Sequence, residues 1–346
     1  MAYQRYLIFG GTGSLGKKLI DRLLPDNEVF VYSRDEAKHF TIRNELSNHK
    51  HFKQLKFIVG DIRDLSRLTE AIKDSDPHVI IIAAALKQVE TCELSPMESV
   101  ATNVLGTQNV ITAIRNCDHK KSSLEKVLFV STDKSCSPVN VYGMCKAISE
   151  RIVTSSAMSL LLSKKEVKFL CTRYGNVLES RGSIVPLFRY QAEFNEFLTV
   201  TDPEMTRYLM TLDDSVDLIE TALHSGKSGE TWVPMLPAMR IGDLADLYSE
   251  KWNKPVKLIG LRPGEKKHED LINESESVRT TVTQSHYVID PAFKPGNKKR
   301  FTYSSNDNVL SKQELYKHLT KLNIFDKKLN EFEGSSIEEI MTNRSK

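Results

Sequence analysis

The chain has 346 residues, 40% of them hydrophobic, which is enough to bury a core in one large domain or two of ordinary size. Its 48 basic and 45 acidic residues leave a net charge of +3. With no long basic block carrying interleaved aromatics, the charge gives no reason to expect nucleic acid. The longest apolar run, residues 79–86, falls far short of the roughly 18 residues of a membrane span, and the chain does not open on a charged head and apolar signal core. A cytoplasmic protein with no membrane partner is expected.

Five cysteines, Cys92, Cys117, Cys136, Cys145 and Cys171, form no Cys-x-x-Cys pair and no zinc spacing, so free thiols and no metal are expected. In chain order, residues 6–9 form a short apolar run followed by Gly10-Gly11-Thr12-Gly13-Ser14-Leu15-Gly16 and the helical pattern Leu19, Ile20, Leu23, Leu24. In a strand, glycine turn and helix, glycines let the backbone approach a pyrophosphate at the helix N-terminus. Gly10, Thr12, Gly13, Ser14, Leu15 and Gly16 are therefore candidate dinucleotide contacts. A second strand, residues 29–32, ends in Ser33-Arg34-Asp35. Arginine suits the 2′-phosphate of NADP, and an acidic residue the ribose hydroxyl of NAD. Arg34 comes first and favours NADP, with Ser33 and Lys38 beside it; Asp35 on the ribose is the alternative.

A third strand, residues 55–59, leads to Asp61 and Ile62, suited to accept from an adenine amine and to cover the ring. Asp64 suits a helix cap. The fourth, residues 79–82, runs into Ala83-Ala84-Ala85, small enough for a flat ring to pack on the backbone, and then Lys87-Gln88-Val89. Asn103 follows on a helically patterned segment, where it either solvates the helix or holds a water or carbonyl near a base. The fifth strand, residues 127–130, ends in Ser131-Thr132-Asp133-Lys134, an acid/base couple at a strand end. Tyr142 and Lys146 follow, four apart and so on one helical face, where an ammonium makes a phenol a usable base. The sixth, residues 167–172, leads to Arg173-Tyr174-Gly175-Asn176.

This alternation predicts an α/β fold with a doubly wound parallel sheet, whose ligands lie at the carboxyl ends of the strands. Residues 1–175, with 212–236 returning to them, are expected to form the nucleotide-binding domain. Residues 176–211 and 237–330 would form a smaller substrate domain, with 280–306 as loop and short strands, and 331–346 a polar tail.

These residues make the chain resemble an extended short-chain dehydrogenase/reductase with a Rossmann-type domain. Within that group it is similar to the inverting, 5-epimerising UDP-N-acetylglucosamine 4,6-dehydratases of polysaccharide and capsule biosynthesis. The resemblance rests on residues 83–89, Ser131-Thr132-Asp133-Lys134, residues 138–143, residues 173–177, Ser180-Arg181-Gly182-Ser183, residues 201–207 and Arg262-Pro263-Gly264-Glu265-Lys266. It implies NADP as cofactor and UDP-N-acetylglucosamine as substrate. The product would be a UDP-2-acetamido-2,6-dideoxy-L-hexos-4-ulose.

The resemblance also implies roles. Tyr142 would take the C4 hydroxyl proton as hydride leaves for NADP, Lys146 would lower the tyrosine pKa and hold the nicotinamide ribose, and Thr132 would bond the C4 oxygen. Lys134 would remove the C5 proton and Asp133 protonate the departing C6 hydroxyl; lysine in place of a glutamate at 134 carries the inverting assignment. Asn176 and Arg262 would serve the UDP end, Lys87 the sugar, and Arg173, Arg181, Arg207 and Glu265 complete the substrate contacts. Relatives of this kind form homo-oligomers, a dimer or a hexamer. Three features depart from the pattern: Glu179 replaces a small residue, Glu90 a proline, and Tyr142 is kept where some capsule-branch relatives lack it. A nucleotide-sugar 4-epimerase and a non-catalytic NADP-sensing scaffold are the rival expectations.

Overall fold

The computed structural model describes residues 3–117, 121–159, 167–180, 182–292, 294–296, 298–329 and 332. In the first half, strands β1 (Arg5–Phe9), β2 (Glu28–Ser33), β3 (Leu55–Val59), β4 (Val79–Ile82), β5 (Lys126–Val130) and β6 (Lys168–Thr172) alternate with helices. The helices are α1 (Ser14–Leu23), α2 (Glu36–Glu45), α3 (Leu65–Ser75), α4 (Val89–Leu94), α5 (Pro96–Ser99), α6 (Gly106–Arg115) and α7 (Val141–Ser159). A π-helical turn, Val100–Leu105, joins α5 to α6. Because helices carry the chain back between strands, the strands pair in parallel, in the order β3-β2-β1-β4-β5-β6. The order reverses between β1 and β4, which opens a crevice at the carboxyl edge there. This is a Rossmann-like α/β fold.

Alternate side chains of each strand feed two cores. Ile8, Val29, Val31 and Leu128 pack with Leu19 and Leu23 of α1. Leu7, Phe9, Ile80, Ile82 and Phe129 pack with Leu68, Ile72, Val110 and Ile114 of α3 and α6. Each such side chain contributes about 1.5–3 kcal/mol when buried, so apolar packing fixes the loops at the carboxyl edge.

The second half contributes β7 (Leu198–Val200), β8 (Thr206–Tyr208), β9 (Thr231–Pro234), β10 (Ala238–Arg240), β11 (Val256–Leu258), β12 (Asp270–Ile272), β13 (Thr280–Val282), β14 (His286–Ile289) and β15 (Tyr303–Ser304). Its helices are α8 (Ile184–Phe194), α9 (Leu212–Ser225), α10 (Ile241–Trp252), α11 (Glu274–Ser277) and α12 (Lys312–Lys321). α9 starts at a Thr211–Asp214 capping box and shares the first core with α1 through Val216, Ile219 and Leu223. β9 adds to β6 in parallel, and β14 and β13 follow antiparallel, giving nine strands.

Residues 280–289 thus extend the main sheet, where the sequence suggested loop and short strands of the substrate domain. The reason is the edge of β9, whose ladder groups need a partner. A third core gathers Phe188, Leu198, Leu244, Tyr248, Leu315, Phe325 and Phe332 around α8, α10 and α12. Most of the expected polar tail, 333–346, lies outside the described residues. Among the described residues no helix is long and apolar enough to cross a membrane.

Candidate active site

Gly10 follows β1 at φ +85°, a conformation that favours glycine, and a Cβ there would lie 2.6 Å from the Ala84 nitrogen. At Gly16 a Cβ would lie 2.3 Å from the Gly11 oxygen. Gly13 is different, because the nearest atom a Cβ would meet is the Gly10 oxygen at 3.6 Å, so packing does not demand glycine there. Gly13 is the N-cap of α1, which has no capping side chain and no acidic residue in its first turn. The first-turn amides and the small Gly13, flanked by Thr12, Ser14 and Leu15, fit a pyrophosphate. The cradle therefore suits a nicotinamide dinucleotide.

At the next strand end, Asp35 caps α2 by accepting from the Lys38 amide at 3.1 Å and pairs with the Lys38 ammonium at 3.1 Å. That double engagement disfavours Asp35 as the ribose ligand. Arg34 is 54% exposed and lies 3.7 Å from Asp61. Ser33 shares a hydrogen bond with His39. Asp61, expected to accept from adenine, is instead gripped by Arg63 through its backbone amide and its guanidinium, at 2.7–3.1 Å. Ile62 is buried against Gly106, and Ala83 and Ala85 are half-buried beside Ala84.

Asn103 is 2% exposed and both its side-chain atoms are committed. Its oxygen accepts from the Leu86 amide at 2.8 Å, and its nitrogen donates to the Leu86 carbonyl at 2.9 Å. The expected cofactor contact is thus corrected to a clamp on the backbone just before the exposed Lys87.

The turn after β5 brings the acid/base groups together. Gly143 lets α7 press against it, since a Cβ there would lie 2.1 Å from the Lys134 carbonyl oxygen. Asn140 caps α7 by accepting from the Gly143 amide at 2.8 Å and donates to the Gly264 carbonyl at 2.7 Å. Lys266 donates to the Cys136 carbonyl at 2.7 Å, latching the 262–266 loop to the same turn. The Thr132 hydroxyl donates to Asp133 at 2.9 Å and lies beside Tyr142. Asp133 is fully buried, with one carboxylate oxygen unpartnered. The Lys134 ammonium lies 3.1 Å from Asp133 and 3.6 Å from Glu269. With a side chain 21% exposed, Lys134 is the most open of the three.

Two electrostatic expectations change. Burial pushes the Tyr142 phenol up to about 12, and the cation that opposes this is Lys134. Lys146 instead donates to the Val130 carbonyl at 2.7 Å and sits over the Phe129 ring, and burial pushes it down to about 8. Burial also works against the Lys134 charge, but Asp133 and Glu269 outweigh it and hold the ammonium above the ordinary lysine range. Lys134 therefore rests protonated and needs to shed a proton before acting as a base.

Among the expected substrate contacts, Arg173 is corrected outright. It is 2% exposed and bonds Glu150, Glu276 and the Leu271 carbonyl, so no donor is left for a pyrophosphate. Arg207 donates to the carbonyls of Thr206, Lys266 and Lys267, tying β8 to the 262–270 stretch. Asn176 is half-buried with an unpartnered side-chain oxygen, as a ligand-binding amide would be. Arg262 is exposed, and Glu265 folds back on its amide. Arg181 lies outside the described residues. Glu179, the unexpected acid, pairs with Lys327. Glu269 escaped the sequence reading because it sits in the charged run Lys266-Lys267-His268-Glu269-Asp270, which looks like a solvated loop. The apolar pair Leu271-Ile272 that follows was the signal that the run ends in the interior.

Residues 6–291 match the model of the polysaccharide biosynthesis protein family. The chain belongs to this family. A family relative, the UDP-glucose 4-epimerase of Rickettsia akari, is 38% identical over 91% of this chain and 91% of its own. The solved structure of Pen from Bacillus thuringiensis superimposes with a TM-score of 0.85 at 34% identity, covering 93% of this chain and 98% of that one. The dTDP-glucose 4,6-dehydratase DesIV of Streptomyces venezuelae, solved with NAD bound, shares the fold at a TM-score of 0.64 and 21% identity, over 76% and 86% of the chains. Family membership thus sets this site among nucleotide-sugar dehydratases and epimerases.

Proposed function

We propose that the protein is an NADP-dependent UDP-N-acetylglucosamine 4,6-dehydratase that inverts C5. The observation that carries this is the Asp133–Lys134 couple, with Glu269 beside it and Tyr142 within reach of its charges. An epimerase needs the tyrosine and lysine but no second acid/base set. The exposed Arg34 and the capping role of Asp35 support NADP over NAD.

In this proposal Tyr142 takes the C4 hydroxyl proton while Thr132 holds the oxygen. The nicotinamide supplies a hydride acceptor at C4 and a hydride donor at C6. The C4 ketone acidifies the C5 hydrogen, because the charge left behind is stored as an enolate. Lys134, once it has shed a proton, removes that hydrogen and passes it on to Asp133. Asp133 is too deeply buried to touch the sugar as it stands, so its proton reaches the C6 oxygen through the Thr132 hydroxyl. A proton arriving on the opposite face of C5 inverts it. Asn176 and Arg262 bind the UDP end and Lys87 the sugar. A homo-oligomer belongs to the proposal, supported by the exposed Met144 and Ile148 one turn apart on α7.

Proton NMR of UDP-N-acetylglucosamine incubated with protein and NADP tests it. A new methyl doublet supports dehydration. A shifted C4 proton with C6 intact supports 4-epimerisation, the second possibility, which the relatives named UDP-glucose 4-epimerase favour.

A further inference from the structure

Lys134 has two carboxylates around it, and the sequence pointed to only one. Glu269 reaches the Lys134 ammonium from the stretch before β12, whereas Asp133 comes from the turn after β5. Its backbone is fixed, since its amide donates to the Ser305 hydroxyl at 2.9 Å and its carbonyl accepts from the Ser305 amide at 2.8 Å. Its side chain is 3% exposed, with one oxygen 3.6 Å from Lys134 and 4.0 Å from Arg207 and the other buried without a partner. A buried carboxylate with an unpartnered oxygen costs stability unless the site uses it.

We propose that Glu269 is a positioning residue for Lys134, holding its ammonium in place and accepting the proton that Lys134 sheds to become a base. The proposal rests on the C5 deprotonation set out above. The proton balance is closed. One N–H bond of Lys134 breaks and one O–H bond of Glu269 forms, the neutral amine then takes the C5 hydrogen, and the two electrons of the C–H bond pass into the enolate. Lys134 then hands the proton gained from C5 to Asp133, whose O–H bond breaks as the C6 oxygen leaves as water, and the neutral Lys134 takes back the Glu269 proton, so the resting site is restored with no oxidant or reductant. The second carboxylate leaves Asp133 free to hold the proton destined for the C6 oxygen, so one acceptor does not have to serve both steps. Burial, with Asp133 adding to it, already raises the Glu269 carboxyl above the ordinary range, in the direction a proton store requires. The charged and titratable groups facing this pair are Asp133 from the turn, Tyr142 from α7, Arg207 from β8 and Lys266 from the preceding loop.

The test uses Glu269→Gln in the full chain, with Glu269→Asp as the conservative variant. Without substrate, the Lys134 side-chain carbon signal, identified by its loss in Lys134→Arg, is titrated by NMR in protein labelled at lysine. The proposal predicts that its midpoint moves to lower pH in Glu269→Gln and returns toward wild type in Glu269→Asp. With UDP-N-acetylglucosamine and NADP, Glu269→Gln should keep the transient reduced-cofactor absorbance while solvent deuterium entry at C5 slows about ten-fold or more. An unmoved titration, or exchange within about two-fold of wild type, overturns the role of Glu269. Wild-type protein that never exchanges C5 overturns the dehydratase assignment instead, and the titration still judges Glu269.

Discussion

Lys134 and Tyr142 are coupled more tightly than their positions in the chain suggest. Tyr142 feels the opposed charges of Lys134 and Asp133, which are themselves paired, so the groups of the two half-reactions share one electrostatic field. Tyr142→Phe removes the C4 base but leaves the Lys134 ion pairs in place. Turnover should fall at least about 100-fold, with no transient rise of reduced-cofactor absorbance on substrate addition. An absorbance transient of wild-type size would remove Tyr142 from the hydride step. At this scale the four-residue spacing put Tyr142 and Lys146 on one helix, α7, but gave no sign that Lys134 is the cation that opposes the rise of the Tyr142 phenol. The sequence was not legible for Arg173 and Glu269, because an isolated arginine or glutamate reads the same in solvent as in a buried network. Only the fold reveals that Glu150 and Glu276 close around Arg173.

In the proposal the glycine turn and α1 form the element that holds the cofactor, and two of its four glycines, Gly13 and Gly16, serve different ends. At Gly16 an added methyl meets the Gly11 backbone, so Gly16→Ala should force α1 away from the turn and lower the melting temperature measurably. Gly13→Ala meets nothing closer than 3.6 Å, so it should fold as wild type. Its methyl would nevertheless occupy the space of the pyrophosphate and weaken NADP binding about ten-fold or more, read by calorimetry. Equal NADP affinity in Gly13→Ala would mean that the dinucleotide does not approach there. The strands and α1 were legible because glycines, apolar runs and helical periodicity coincide. Short strands were expected where β13 and β14 lie, but their place on the main sheet was not legible, because a strand that caps a sheet edge is set by its partner more than by its own pattern.

Across the whole molecule, the Arg173 network joins the Rossmann-like half to the 262–276 stretch that carries Glu269. Burial alone would raise the Glu276 carboxyl, yet the Arg173 guanidinium overrides it and holds the group down at about 2. The folded pKa lies below the ordinary glutamate value, so this pair stabilises the fold above about pH 4.5, and that contribution is lost as pH falls toward about 2. Glu276→Gln leaves a buried arginine half-paired, at a cost of roughly 3–5 kcal/mol. The variant should unfold at lower denaturant than wild type at pH 7, and the gap should narrow as both are acidified. A gap that stays constant down to acid pH would mean that the pair is not ionised as described. The tie between β6 and the 262–276 stretch was not legible in the sequence, because it depends on residues about a hundred positions apart, Arg173 and Glu276.

The central claim is that Asp133, Lys134 and Tyr142 run two successive steps on one sugar. NMR of the product formed from UDP-N-acetylglucosamine in heavy water tests it most directly. The account predicts a methyl group at C6 and deuterium at C5, with the ring in the L configuration. A product that keeps its C6 oxygen and carries no deuterium at C5 would contradict it.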